Sequence, residues 1–204
     1  MTRLVLASAS PRRRELLARL GLPFEVRPTS VDETPRHAED ARVLVRRLAL
    51  AKASAGLAAE PGVAPERDVV VIGADTVVAM GGRVLGKPAD ETEAAAMLRL
   101  LSGSRHQVLT GVAVASSRGD AASLAVEVAE TDVVMRPLTD ADIGGWLATG
   151  EALDKAGGYA IQEVGDTFVE RIEGSFDNVV GLPVHLVRTM LAAVGVEAPQ
   201  PPDA

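Results

Sequence analysis

The stretch Asp68–Met80, DVVVIGADTVVAM, decides how the rest of the chain is read. Its Val and Ile residues are what a buried strand requires, and a strand covered on both faces reads as a near-continuous apolar run. Gly73, Asp75 and Thr76 interrupt that run. An isolated carboxylate buried there costs several kcal/mol unless a metal, a cation or a mouth open to solvent relieves it. Ligand clefts in α/β proteins form at sheet ends, so Asp75, at the end of its apolar run, is the first candidate functional residue.

Working outward, Arg3–Ala7 reads as a strand and Ser10-Pro11 as an N-cap and first turn for a helix Arg12–Leu20 that Gly21 ends. Phe24–Arg27 is a second short strand, followed by a polar turn Pro28–Pro35, a helix from Ala38 to Ala59 and a loop Glu60–Asp68. Beyond the central strand, Gly81–Pro88 (GGRVLGKP) reads as a hairpin turn. Asp90 and Glu93 start a helix Glu91–Leu101, Gln107–Ala115 and Leu124–Met135 form a hairpin, and Thr139 with Asp142 opens a helix ending near Gly150. Pro183–Ala193 is a last helix. The alternation predicts an α/β fold with a mixed sheet and flanking helices, one domain over residues 1–196, and a disordered Pro-rich tail over 197–204.

The bulk properties exclude several classes of function. The 204 residues are 47% hydrophobic but 2% aromatic, so the core is built from Ala, Val and Leu, and no stacking platform for nucleic acid is available. The net charge of −7 gives no general attraction to a polyanion, so phosphate affinity must come from a local cluster. Without cysteine there is no disulfide, thiolate nucleophile or sulfur-ligated zinc, a composition that suits the cytoplasm. The apolar stretch Leu4–Ala7 is too short for a signal peptide, and no run approaches a membrane span.

Several segments carry candidate chemistry. Arg12, Arg13 and Arg14 start a helix, where the macrodipole favours anionic side chains, so a bound phosphate would relieve them and a solvated basic turn is the plainer reading. In Val31–Glu33 (VDE), Asp32 and Glu33 are either turn carboxylates or metal ligands. Lys52 shares a helix face with Leu44 and Leu48, and there it either snorkels or meets an anion. GGRVLGKP matches a P-loop pattern only up to Pro88, which has no hydroxyl for magnesium, so it is not one and simply leaves Lys87 projecting. In Glu151–Gln162, EALDKAGGYAIQ, Gly157 and Gly158 permit close approach. Gln162, read as lying on a half-buried strand, where a Gln is more often a structural hydrogen-bonder, also offers the donor and acceptor that the edge of uracil or thymine requires. His37, His106 and His185 are not spaced as metal ligands.

Taken in order, SASPRRR (Ser8–Arg14), VDE, Lys52 in LALAKA, GADTVV (Gly73–Val78), GKP (Gly86–Pro88) and AGGYAIQ (Ala156–Gln162) resemble the Maf family of nucleotide pyrophosphatases, a match running from Thr2 to Val196. The resemblance implies an elongated fold like that of inosine-triphosphate pyrophosphatases, with two lobes around a cleft, and a homodimer. It implies Asp75 as catalytic proton acceptor and Arg12, Thr76 and Gln162 as determinants of base specificity. Ser8, Arg13, Lys52 and Lys87 match positions lining the phosphate part of the cleft, and Glu33 with Asp75 would hold magnesium or manganese. Thr76 and Gln162 match the branch acting on dTTP and UTP in nucleotide housecleaning. The alternatives are a 7-methyl-GTP or other purine-type pyrophosphatase, and a nucleotide-binding inhibitor of septum formation.

Overall fold

The computed structural model describes residues 2–60, 68–117 and 123–199; residues 61–67 of the expected loop and 200–204 of the expected tail lie outside it. Seven strands form one mixed sheet in the order β2-β1-β3-β5-β6-β7, with β4 hydrogen-bonded to β3. These are β1 (Arg3–Leu6), β2 (Glu25–Val26), β3 (Val69–Met80), β4 (Arg83–Leu85), β5 (Arg105–Ser116), β6 (Ser123–Met135) and β7 (Val169–Glu173). The helices are α1 (Pro11–Ala18), α2 (Ala41–Ala58), α3 (Glu91–Leu101), α4 (Asp140–Leu147), α5 (Ile161–Phe168), α6 (Phe176–Val180) and α7 (Val184–Ala193). Among the described residues no helix is long and apolar enough to cross a membrane.

β3 is buried on both faces, which is why it reads as a continuous run. Val69, Val71 and Val77 turn toward α2, meeting Ala49, Ala53, Leu44 and Leu48. Val70, Ile72 and Ala74 turn the other way, into a core shared with Leu16 and Leu17 of α1 and Leu191 of α7. Farther along that second face, Val78 joins a separate core with Leu98, Leu101, Trp146 and Tyr159. Two apolar clusters thus occupy one side of the sheet, at opposite ends of β3.

Asp75 does not lie at the end of its strand. β3 runs on to Met80, and the opening is beside it. β1 pairs in parallel with β3 only as far as Leu6 opposite Ile72, while the pairing of β3 with β4 starts at Val78, opposite Leu85 at the end of β4. Between those points no described strand lies along this edge of β3. The opening is also at the carboxyl end of β1, where the chain turns into α1, so the general rule for clefts applies to β1 and not to β3.

α2 lies against the sheet at van der Waals contact because two strand positions carry no side chain. A Cβ on Gly73 would sit 2.5 Å from Ala49 O and Ala53 N, and one on Gly111, directly opposite Asp75, would sit 2.3 Å from Val45 O. α2 begins at Ala41 instead of Ala38, because the Asp40 carboxylate caps it through Val43 N at 2.9 Å and Ala38 has φ +55°.

The C-terminal part departs most from expectation. Gln162 is in the first turn of α5, not on a strand. Ile161, Val164 and Phe168 recur at helical spacing and are all buried, so burying them together requires a helix. The chain is still held beyond Val196: Arg188 Nη1 donates to Ala198 O at 3.1 Å and Pro199 O at 2.7 Å.

Gly111→Ala is expected to push α2 off the sheet, lowering stability in urea unfolding by about 1–3 kcal/mol, as overpacking does, and lowering turnover with it. Unchanged stability and activity would mean that the helix has slack to move.

Candidate active site

The turn from β1 into α1 builds one wall of a cleft of about 700 Å³. Ser10 caps α1, Pro11 fills its first position, and no acidic residue occupies the first turn. Arg13 is largely committed to the protein itself: Nε donates to Gly181 O at 2.9 Å, Nη1 to Ala74 O at 2.8 Å and Nη2 to Thr76 Oγ1 at 3.0 Å. A longer contact of 3.4 Å runs from Nη1 to Ser8 Oγ. One guanidinium therefore ties α1, the open edge of β3 and the end of α6 together. Burial lowers its pKa, against the opposing charges of Asp75 and Glu33. Arg12 extends along the cleft to within 3.5 Å of Asp154.

Asp75 and Lys52 are 7% and 8% exposed, and Lys52 Nζ lies 2.7 Å from Asp75 Oδ1. The same ammonium is 2.7 Å from Glu33 Oε1. The loop carrying Glu33 is itself fastened to α2, because Arg47 donates two bonds of 2.7 Å to Glu39 and one of 3.1 Å to Thr34 O. The hydrogen bonds from Arg47 hold the Glu39 pKa down to about 2. Burial pushes the Glu33 pKa up, but the Lys52 hydrogen bond and the charges of Lys52, Lys87 and Arg13 outweigh it and lower it overall.

Thr76, next in sequence, faces the other side of the sheet. Its hydroxyl accepts from Arg13, lies 3.0 Å from Thr110 Oγ1 and reaches Gly181 O at 3.4 Å. Lys87, just beyond β4, and Gln162 are exposed on the cleft wall, and Ser8 Oγ accepts from Ser10 N at 3.2 Å. The structure brings the nine residues to which the resemblance assigns roles to one cleft: Ser8, Arg12, Arg13, Glu33, Lys52, Asp75, Thr76, Lys87 and Gln162, whereas Asp32 is not among its lining residues. Arg14 is exposed and lies outside the cleft lining.

Sequence reasoning missed Asp154 and Lys155. Lys155 is 3% exposed and donates to Glu151 O at 2.6 Å, Glu151 Oε2 at 2.8 Å and Asp154 Oδ1 at 2.8 Å. Burial works to lower its pKa, yet the bonds to Asp154 and Glu151 prevail and raise it. Two adjacent opposite charges look solvated in a sequence; the only hint was their place in the glycine-containing segment before Gln162.

No group of three or more His, Asp and Glu side chains converges as a metal cage among the described residues. Glu33 and Asp75 nevertheless aim oxygen atoms at one point, now taken by the Lys52 ammonium. Two hard carboxylate oxygens are part of a donor set that suits magnesium.

A family model described as Maf-like protein matches residues 3–194. The chain belongs to the Maf family. Among its Maf relatives, the dTTP/UTP pyrophosphatase of Pectobacterium atrosepticum is 52% identical over 184 residues, 90% of this chain and 89% of that one. The dTTP/UTP pyrophosphatase of Deinococcus radiodurans is 49% identical over 196 residues, 96% of this chain and 95% of that one. A solved dITP/XTP pyrophosphatase from Mycobacterium abscessus aligns with this Maf chain at 17% identity and a TM-score of 0.40, over 68% of this chain and 76% of that one, too slight a likeness to carry an argument.

One buried titratable pair stands behind the cleft wall. His106 is 2% exposed, with Nε2 2.7 Å from the hydroxyl of Tyr159, a residue lining the cleft. Burial pushes the His106 pKa down to about 4, with Asp132 acting weakly the other way. Because the unfolded chain binds a proton near pH 6.5 that the folded chain refuses until about pH 4, stability is flat above that range and falls as pH drops through it. At about 1.4 kcal/mol per pKa unit, the loss is roughly 3 kcal/mol. Urea midpoints from pH 7 to 4 are expected to drop more steeply for wild type than for His106→Gln; parallel profiles would place the acid sensitivity elsewhere.

Proposed function

We propose that this protein hydrolyses dTTP and UTP, with water, to the nucleoside monophosphate and pyrophosphate. The observation that carries the reading is the buried Asp75–Lys52 pair at the opening beside β3, extended to Glu33. It puts a carboxylate fit to accept a proton within the reach of groups fit to bind phosphate, in a chain about half identical to dTTP/UTP pyrophosphatases.

The division of labour follows from which donors are free. Attack on the α phosphorus requires an oriented water and neutralisation of charge on the departing pyrophosphate. Asp75 positions that water and takes its proton. Lys52 and Lys87 hold the triphosphate, Lys87 being exposed and Lys52 able to exchange a carboxylate partner for a phosphate. Ser8 lines the same end. Arg13 contributes charge more than free donors, since its hydrogen bonds already run to Ala74, Thr76 and Gly181. Glu33 and Asp75 would hold a magnesium or manganese ion, which supplies charge neutralisation at the phosphates when bound.

Arg12, Thr76 and Gln162 act on the base. A pocket that hydrogen-bonds a pyrimidine edge leaves its polar groups unpaired when a purine enters, which discriminates strongly, whereas the one methyl separating thymine from uracil discriminates weakly. The enzyme therefore accepts both pyrimidines, and modified uridine triphosphates with them, as a housecleaning activity of the cytoplasm carried out by a homodimer.

The test is a panel of standard and modified triphosphates with magnesium or manganese, with both products identified. Asp75→Asn keeps the size of the side chain and a partner for Lys52, so turnover is expected to fall by about 10²–10⁴ with the circular dichroism unchanged. Near-normal turnover would remove Asp75 from the chemistry, and preference for ATP or GTP would remove the assignment of Gln162.

A further inference from the structure

Asp154 is the cleft carboxylate that the mechanism does not use. Its two oxygens are divided between two cations: Oδ1 accepts from Lys155 Nζ at 2.8 Å, and Oδ2 lies 3.5 Å from Arg12 Nη1. One side of this arrangement is rigid. Lys155 is almost wholly buried, pinned by both oxygens it takes from Glu151 and placed 5.8 Å from the centre of the Trp146 ring. Trp146 is fixed in turn by donating Nε1–H to Gly158 O at 2.7 Å. The other side is a long side chain from the first turn of α1, only partly buried. A chain of contacts therefore runs from the Trp146 core, through Lys155 and Asp154, across the cleft to Arg12.

The consequence lies in what Arg12 would otherwise do. A triphosphate carries several negative charges, and a guanidinium binds phosphate oxygens in pairs. The charge of Lys87 acts on both Glu33 and Asp154, and all three side chains line the one cleft. A released Arg12 could bind the phosphates, which every nucleotide has; such binding serves all substrates equally and reads no base.

We propose that Asp154 is a positioning residue for base recognition: anchored on Lys155, it holds Arg12 at the nucleoside end of the cleft and keeps that guanidinium off the triphosphate. This rests on the pyrophosphatase reading and assigns a residue through which its selectivity is set. The carboxylate gives up some affinity for polyphosphate in exchange for discrimination between bases.

The experiment compares wild type, Asp154→Asn, Arg12→Ala and the double variant. Calorimetry measures binding of inorganic tripolyphosphate, and kcat and KM are measured for dTTP, UTP and GTP. Asp154→Asn is expected to bind tripolyphosphate more tightly by about fivefold, the scale of one exposed ion pair. The same variant should lose about tenfold in the ratio of kcat/KM for dTTP over GTP. In the Arg12→Ala background, the added Asp154→Asn change should move either quantity by less than about twofold, because its effect passes through Arg12. Lys155→Met, which removes the anchor, should reproduce the loss of selectivity. Weaker tripolyphosphate binding in Asp154→Asn, or equal effects with and without Arg12, would overturn the proposal. A wild type that cleaves no triphosphate would overturn the pyrophosphatase reading, and the calorimetric comparison would still decide whether Asp154 restrains Arg12.

Discussion

The ammonium of Lys52, held at 2.7 Å from both Asp75 and Glu33, is the contact on which the arrangement of the site depends. An ionised carboxylate facing α2 from the middle of β3 is tolerable only if a cation meets it, because desolvation without a partner costs several kcal/mol. The cation comes from a helix, and its reach is set by how near that helix lies. Gly73 and Gly111 set that distance, since a side chain at either would strike the α2 backbone. Two glycines that look like interruptions of buried strands are therefore part of the electrostatics of the cleft. Glu33 completes the pair because the loop bearing it is fastened to the same helix through Arg47 and Glu39.

The position of the opening follows from strand lengths. β1 has four residues and β3 has twelve, so the parallel pairing ends well before β3 does, and the hairpin into β4 resumes pairing only at Val78. The edge left between them is where α1 starts. A helix start supplies unpaired N–H groups and positive potential, and the first turn adds Arg12 and Arg13. Arg13 turns inward and satisfies the carbonyls of Ala74 and Gly181, which stabilises an irregular junction that would otherwise leave main-chain acceptors unpaired.

What could be read from the sequence was what violates a local rule. Asp75 in an apolar run and Lys52 on a packing face lack a compensating charge within their own element, and the arginines at the helix start have no acidic residue in their first turn; the fold brings partners to Asp75, Lys52, Arg12 and Arg13 from elsewhere. The long strands and the helix caps at Asp90 and Thr139 were legible for the ordinary reason that periodicity and capping chemistry are local. The segment after Gly158 was not. Ile161 directly follows Tyr159 and Ala160, so the apolar run YAI looks extended, and only Val164 and Phe168 reveal the helical spacing. β7 and α6 have five residues each, too few for a period to emerge. Arg13 lines the cleft, but its partners were illegible, because main-chain carbonyls leave no trace in the identity of a residue.

The charge of the whole chain and the charge of the cleft have opposite signs. The protein carries a net −7, yet the cleft is lined by Arg12, Arg13, Lys52, Lys87 and Lys155 against Glu33, Asp75 and Asp154. A uniformly basic protein would attract nucleic acid and every polyanion in the cell; a local excess of cations in an acidic surface confines that attraction to a ligand small enough to enter. Within the cleft the same logic recurs at shorter range. Four of the five cations already have protein oxygens as partners, so a triphosphate must displace or share them, and only Lys87 is exposed with no ion pair among the described contacts. Affinity for an anionic ligand then resides less in the number of cations than in which of them it can detach from their protein partners.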